Sequence, residues 1–393
     1  MSSKPLSGVR VLDLTRLLPG PMCTLHLADL GAEVIKIEDT GAGDYARTLG
    51  MPDGQPAPVF LAINRNKLGM RLDLKQPAGV EAFLDLARSA QVVVEGFRPG
   101  VVDRLGIGYE AVRAVNPAIV YCAISGYGQT GPYAPLAGHD LNYCSYAGFT
   151  DQNGDREADP VIPNFQVADI LGGAVVPAMG ILAALFDAQR TGRGRHVDVA
   201  MTEGVLVHNV QALSATVSTG AVAPRGGDLL SGREGCYQIY RTADGRHMAV
   251  GALEGKFWHQ VCQVVGRPDL EPHHWEHGGD PEVAVQALRE VFATRTQDEW
   301  VEAFRGRDCC VSPVRRFDEL VDDPQHVARG MFLRAAHPTA GEVLQMAPPL
   351  KLSDYEFEVR CPAPEPGQHS RDILRGLGYT DARIDALARD GVI

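Results

Sequence analysis

No two of the eight cysteines stand in CxxC spacing, no HExxH or GxSxG motif occurs, and no stretch approaches 18 uninterrupted apolar residues. The first absence removes a disulfide scaffold or zinc ribbon, the second a zinc-protease helix, the third a hydrolase nucleophile elbow. The fourth gives no sign of a membrane-spanning helix, and the start Met-Ser-Ser-Lys-Pro has no apolar signal core. Positive charge is also short. Asp and Glu number 49 against 37 Lys and Arg, a net charge of −12, which speaks against a general nucleic-acid binder. A cytoplasmic protein with reduced core thiols, no metal and no membrane insertion is expected. His273-His-Trp-Glu-His277 offers three imidazoles but no metal-ligand spacing, and reads as a solvated loop.

What is present is apolar periodicity. At 393 residues and 45% hydrophobic content the chain can bury a large core in two domains. Strand Val9 to Leu14, a loop at Arg16-Leu-Leu-Pro19-Gly-Pro21, helix Met22 to Leu30 and strand Glu33 to Glu38 form a βαβ unit. Helix Val80 to Arg88, strand Val92 to Glu95 and strand Ile119 to Ser125 continue the alternation, which predicts an α/β, Rossmann-like parallel-sheet domain. The first loop lacks GxGxxG. The literal GxGxxG at Gly126 to Gly131 is followed by Pro132 and Pro135 where its helix should begin, so a dinucleotide cradle is not expected at either place.

The composition shifts to glycine, arginine and small residues over 218–234, read as a linker. Strands Gly235 to Arg241 and His247 to Gly251 flank Ala243-Asp-Gly245, a hairpin that opens a smaller α+β domain. The expected organisation is a large domain from 1–217, the linker 218–234, the small domain 235–325, and a return to the large domain over 326–393.

Residues suited to chemistry gather at element edges. His139 and Asp140 follow Gly138, and Asp169 stands where the apolar helix to Arg190 begins. An aspartate there is an ordinary N-cap, but Gly172 and Gly173 in the first turn weaken helix propensity without helping a cap. They open backbone N–H groups to a ligand oxyanion at the positive end of the helix dipole. Arg65, Lys67, Arg71, Arg98 and Arg104, with Phe97 in the loop after a strand, suit a phosphorylated ligand or an ordinary solvated surface. Glu254 lies in a hairpin-to-helix turn, where a helix N-terminal charge is the plain alternative.

The series Leu6-Ser-Gly-Val-Arg-Val-Leu-Asp13, Leu30-Gly-Ala-Glu-Val-Ile-Lys-Ile-Glu38, Asn64-Arg-Asn-Lys67, Leu72-Asp-Leu74, Glu95-Gly-Phe-Arg-Pro-Gly100, Arg104-Leu-Gly-Ile-Gly108, Ser125-Gly-Tyr-Gly-Gln-Thr-Gly-Pro132 and Thr191-Gly-Arg-Gly194 resembles the family III CoA-transferases (CaiB/BaiF). Gly138-His-Asp-Leu-Asn-Tyr143 resembles the α-methylacyl-CoA racemase branch. The resemblance implies His139 and Asp169 as an acid/base pair, with Glu254 and Asp140 as supporting carboxylates. It further implies an interlocked homodimer acting on acyl-CoA, with coenzyme A arriving as part of the substrate and no permanently bound cofactor. The reaction implied is epimerisation of 2-methylacyl-CoA thioesters. The alternative is CoA transfer between carboxylic acids with Asp169 as nucleophile, and a third reading is an acyl-CoA-binding module without chemistry.

Overall fold

The computed structural model describes residues 4–51 and 55–393. The chain divides into two compact units, the first comprising residues to 147, 164–208 and 324–393, the second 148–163 and 209–323. Residues 148–163 and 209–217, which the sequence reading assigns to the large domain, group with the second unit.

The first unit is built on six strands: β1 (Arg10–Asp13), β2 (Glu33–Glu38), β3 (Lys67–Arg71), β4 (Val92–Glu95), β5 (Val120–Ser125) and β6 (His196–Ala200). Every neighbouring pair is parallel and the order is β3-β2-β1-β4-β5-β6. Strands β4 and β5 are buried along their whole length, which is why they read as continuous apolar runs rather than alternating ones. Leu12, Ile35, Val93 and Tyr121 pack against Phe83 and Leu86 of helix Pro77–Ala87. Each such fully buried large side chain contributes about 1.5–3 kcal/mol. Leu374, Ile384 and Leu387 from helices Ser370–Gly376 and Asp381–Arg389 complete the same core. The returning chain also bonds the β3 edge: the Asn66 N–H donates to Cys361 O and the Asp73 N–H to Val392 O.

This strand order reverses direction between β1 and β4, and ligands of open α/β sheets bind in the crevice outside the strand carboxyl ends at such a switch point. The loop leaving β1 is held there by buried charge. Lys67 Nζ donates to Pro21 O (2.8 Å), Asn64 Oδ1 (2.9 Å) and Asp13 Oδ2 (3.2 Å). Lys36 Nζ donates to Thr15 O (3.0 Å) and Asp44 Oδ2 (2.8 Å), and Asp44 Oδ1 accepts the Leu17 N–H. All four charged side chains are fully buried. Burial pushes Lys67 down to about 8 against the pull of Asp13; burial raises the Asp13 carboxyl, but Lys67 and Lys36 bring it below its usual range. Leu17, held in this loop, has φ +64°, a left-handed conformation that a leucine rarely adopts.

The second unit carries the antiparallel sheet β7 (Tyr237–Arg241), β8 (His247–Gly251) and β9 (Val311–Pro313), in that order. Its core joins Tyr240, Trp258, Phe292 and Trp300 from this sheet and from helices Gly255–Val265, Pro281–Phe292 and Gln297–Ala303.

The expectation that no long apolar stretch exists is corrected: Ile170 to Phe186 carries no polar or charged side chain, and among the described residues one helix, Ala168–Thr191, is long and apolar enough to cross a membrane by length and composition.

Candidate active site

A cavity of about 520 Å³ lies at the switch point of the first unit, lined by the loops after β1, β4 and β5 and by His139, Tyr143, Asp169 and Met201. A smaller cavity of about 250 Å³ shares Leu14, Arg16 and Phe97 with it and adds Leu72 and Lys75 beyond β3.

Asp169 occupies the second position of an unusual element. Residues Ala168–Val175 form a π-helical segment that runs into the α-helix Val176–Thr191. Such wide turns are rare and often mark functional sites. Its start is capped from afar: Asp140 Oδ1 accepts the backbone N–H of Ala168 (2.7 Å) and of Asp169 (3.0 Å). The same Asp140 opens helix Asp140–Tyr146, whose N-cap residue is His139. The carboxylate of the residue next to His139 thus fixes the backbone at Asp169. The His139 N–H is taken by Asn142 Oδ1 (3.1 Å), and its carbonyl accepts the Asn142 and Tyr143 N–H groups, so the residue is anchored by backbone while its imidazole lines the cavity.

Burial raises the Asp169 carboxyl to about 7, with the negative charge of Asp140 adding to it. A carboxyl in that range gives and takes a proton near neutrality. Tyr143, pushed up to about 12 by burial and then by Asp169, keeps its hydroxyl proton and donates it to Gly138 O. A Cβ at Gly138 would lie 2.7 Å from the Tyr143 ring, so glycine is what lets this tyrosine pack beneath the His139 loop.

Gly172 and Gly173, expected to open N–H groups to an oxyanion, line neither cavity. A Cβ on Gly172 would stand 2.4 Å from Met201 O, and one on Gly173 2.4 Å from Pro19 Cβ. Both glycines serve close packing of the π-helical segment. The N–H groups of Ala168 and Asp169 belong to Asp140, and that of Ile170 bonds Gln166 O.

The basic residues divide. Arg98 and Phe97 line the main cavity, and Arg16, which was missed, lines both, its guanidinium 5.3 Å from the Phe97 ring centroid. Position in the loop after β1 was the signal that would have found Arg16. Arg65 and Lys67 do not reach either cavity. Arg65 is buried against Asp29 (2.6 Å) and Gln345, and Lys67 belongs to the network under the loop. Arg71 is half-buried and donates to Gly41 O, while Arg104 is exposed beside Gly100; neither lines either of these two cavities.

Glu254 lies in the second unit as the N-cap residue of helix Gly255–Val265, exposed, with no capping hydrogen bond from its side chain. The tract His273–His277, expected as a solvated loop, is exposed over Trp275, Glu276 and His277 but anchored to this turn at two points. His274 is fully buried, and Trp275 Nε1 donates to Leu253 O (2.7 Å). Among the described residues no group of three or more His, Cys, Asp or Glu side chains converges as a metal site. All eight cysteines are free, six of them buried.

The model of CoA-transferase family III matches residues 6–370. The chain is 34% identical to human alpha-methylacyl-CoA racemase over 99% of its length and 97% of that protein's. It is equally 34% identical to mouse succinyl-CoA:glutarate CoA-transferase, over 100% of this chain and 91% of that one. The crystal structure of a CAIB/BAIF family protein from Brucella suis superposes with a TM-score of 0.83 at 28% identity, covering 95% of this chain and 99% of the other.

Proposed function

The chain belongs to CoA-transferase family III, and on that premise we propose that it epimerises 2-methylacyl-CoA thioesters by proton transfer at the α-carbon. The observation that carries this reading is that His139 and Asp169 line one cavity, tied by Asp140, with the Asp169 carboxyl raised to about 7. Inversion requires one group to remove the α-proton from one face while another delivers a proton to the opposite face. The neutral His139 imidazole takes the proton, the C–H electron pair passes into the thioester as an enolate, and the Asp169 carboxylic acid protonates the other face. The pair ends as imidazolium and carboxylate, the state competent for the opposite epimer. Coenzyme A enters as part of the substrate, its nucleotide end in the smaller cavity between Arg16, Phe97 and Lys75.

The working form is a homodimer. Val175, Met179, Leu182 and Phe186 make an exposed apolar stripe at helical spacing, with Met179 and Phe186 63% and 64% exposed. A stripe of that kind marks a protein contact, and the interlocked arrangement implied by the resemblance is the one we adopt. The free thiols accord with a reducing, cytoplasmic compartment.

A second reading is favoured by the equal identity to a CoA-transferase: Asp169 attacks the thioester and carries CoA to a second acid. The two separate in one experiment. A single epimer of a 2-methylacyl-CoA in deuterium oxide, with no acceptor acid, exchanges its α-proton and loses optical purity under the first reading, and His139→Ala abolishes this. Silence in that assay, with CoA transfer once a carboxylic acid is added and hydroxylamine inactivation at Asp169, establishes the second.

A further inference from the structure

Glu95 is a buried carboxyl that the reaction above leaves unused. It ends β4, one of the two strands at the switch point, and is 2% exposed. Register places Glu95 beside Ala123 of β5 and Ala123 beside Asp198 of β6, so two acids share one face of the sheet across a small residue. Glu95 Oε2 accepts the backbone N–H of Phe97 at 2.7 Å, reaching over Gly96 to fasten the loop that leaves the strand. That loop presents Phe97 to both cavities and Arg98 to the larger one.

We propose that Glu95 is a positioning residue for coenzyme A, holding the Gly96–Gly100 loop in the shape that brings Phe97 and Arg98 against the thioester's nucleotide and phosphate portion. The proposal rests on the acyl-CoA reading of the cavity but not on the choice between epimerisation and transfer.

The charge state of the anchor follows from its surroundings. The titratable groups facing it are Asp103 from the helix Val101–Arg104, Asp198 from β6, and Tyr121 and Cys122 from β5; none is a cation. Burial raises the Glu95 carboxyl to about 8, the Phe97 N–H opposing and the two aspartates adding to it. The folded protein therefore holds a proton here that the unfolded chain has released, and the stability of this arrangement falls as pH rises through about 8. Neutral, the group accepts one hydrogen bond beneath a polyphosphate ligand; ionised, it repels that ligand.

Calorimetric binding of a coenzyme A analogue lacking the thiol, at about pH 7 and about pH 9, tests this without turnover. Glu95→Ala should weaken binding roughly tenfold at the lower pH, the equivalent of one hydrogen bond and its ordered loop. Wild type should weaken several-fold at the higher pH, whereas the always-neutral Glu95→Gln should bind as wild type at the lower pH and hold its affinity at the higher. Should Glu95→Ala fail to fold, the contrast between wild type and Glu95→Gln decides alone. Binding by wild type and Glu95→Gln with the same pH dependence would overturn the proposal. No binding by wild type at either pH would overturn the acyl-CoA reading along with it.

Discussion

Asp140 carries two tasks in one carboxylate, and substitution separates them. Asp140→Asn retains an oxygen for the Ala168 and Asp169 N–H groups but removes the charge that helps raise Asp169. The Asp169 titration should fall from about 7 while staying above the ordinary aspartate value, since burial is the larger cause; carboxyl NMR against pH reads this directly. Asp140→Ala loses the acceptor as well and should cost about 1–2 kcal/mol in denaturant unfolding. The proposed pair also fixes the form of the pH profile. Both catalytic states hold one proton between His139 and Asp169, so kcat/KM for the two epimers should be bell-shaped with the same two limbs. Limbs that differ between epimers would sink the shared-proton scheme. Of these residues, His139, Asp140 and Asp169 were legible because each stands at an element edge. Arg65 and Lys67 misled because a run of basic residues says nothing of burial. Replacing Lys67 with Met should leave Asp13 charged and unpaired, a loss of about 3–5 kcal/mol in stability by denaturant titration.

At the scale of elements the strands were the readable part. Predicted strands at Glu33 to Glu38 and Val92 to Glu95 coincide with β2 and β4, the first read from alternation and the second from the apolar run that continuous burial in a parallel sheet writes. Strand β3 escaped notice, since Lys67-Leu-Gly-Met-Arg71 begins and ends on a cation whose partners come from elsewhere. The π-helical segment was invisible for a related reason. Ala168-Asp-Ile-Leu-Gly-Gly-Ala-Val175 reads as an ordinary helix, and its widened turn accompanies a cap 28 residues upstream and a close approach to Met201. Gly172→Ala should therefore displace Met201 backbone and lower stability by about 1–3 kcal/mol. Because that turn carries Asp169, the proton-exchange rate should fall at a temperature where the variant is still fully folded, as circular dichroism on the same sample would verify.

For the whole molecule, the α/β architecture with a six-stranded parallel sheet stands as expected from the alternation of elements. The proposed homodimer predicts a sedimentation mass near twice that of the 42.3 kDa chain, and a mass of one chain would overturn it.

The position of the C-terminal residues bears on how the protein is made. The first unit draws its core from both ends of the chain: Leu374, Ile384, Leu387 and Val392 sit with strands synthesised some three hundred residues earlier. The second unit ends at residue 323. On the ribosome the second unit has all its residues first, while the sheet that frames the cavity waits, with its apolar face open, until residues 370–393 emerge. A chain stopped before residue 370 lacks Leu374, Ile384 and Leu387 from that core and would be a client for chaperones instead of a partial enzyme.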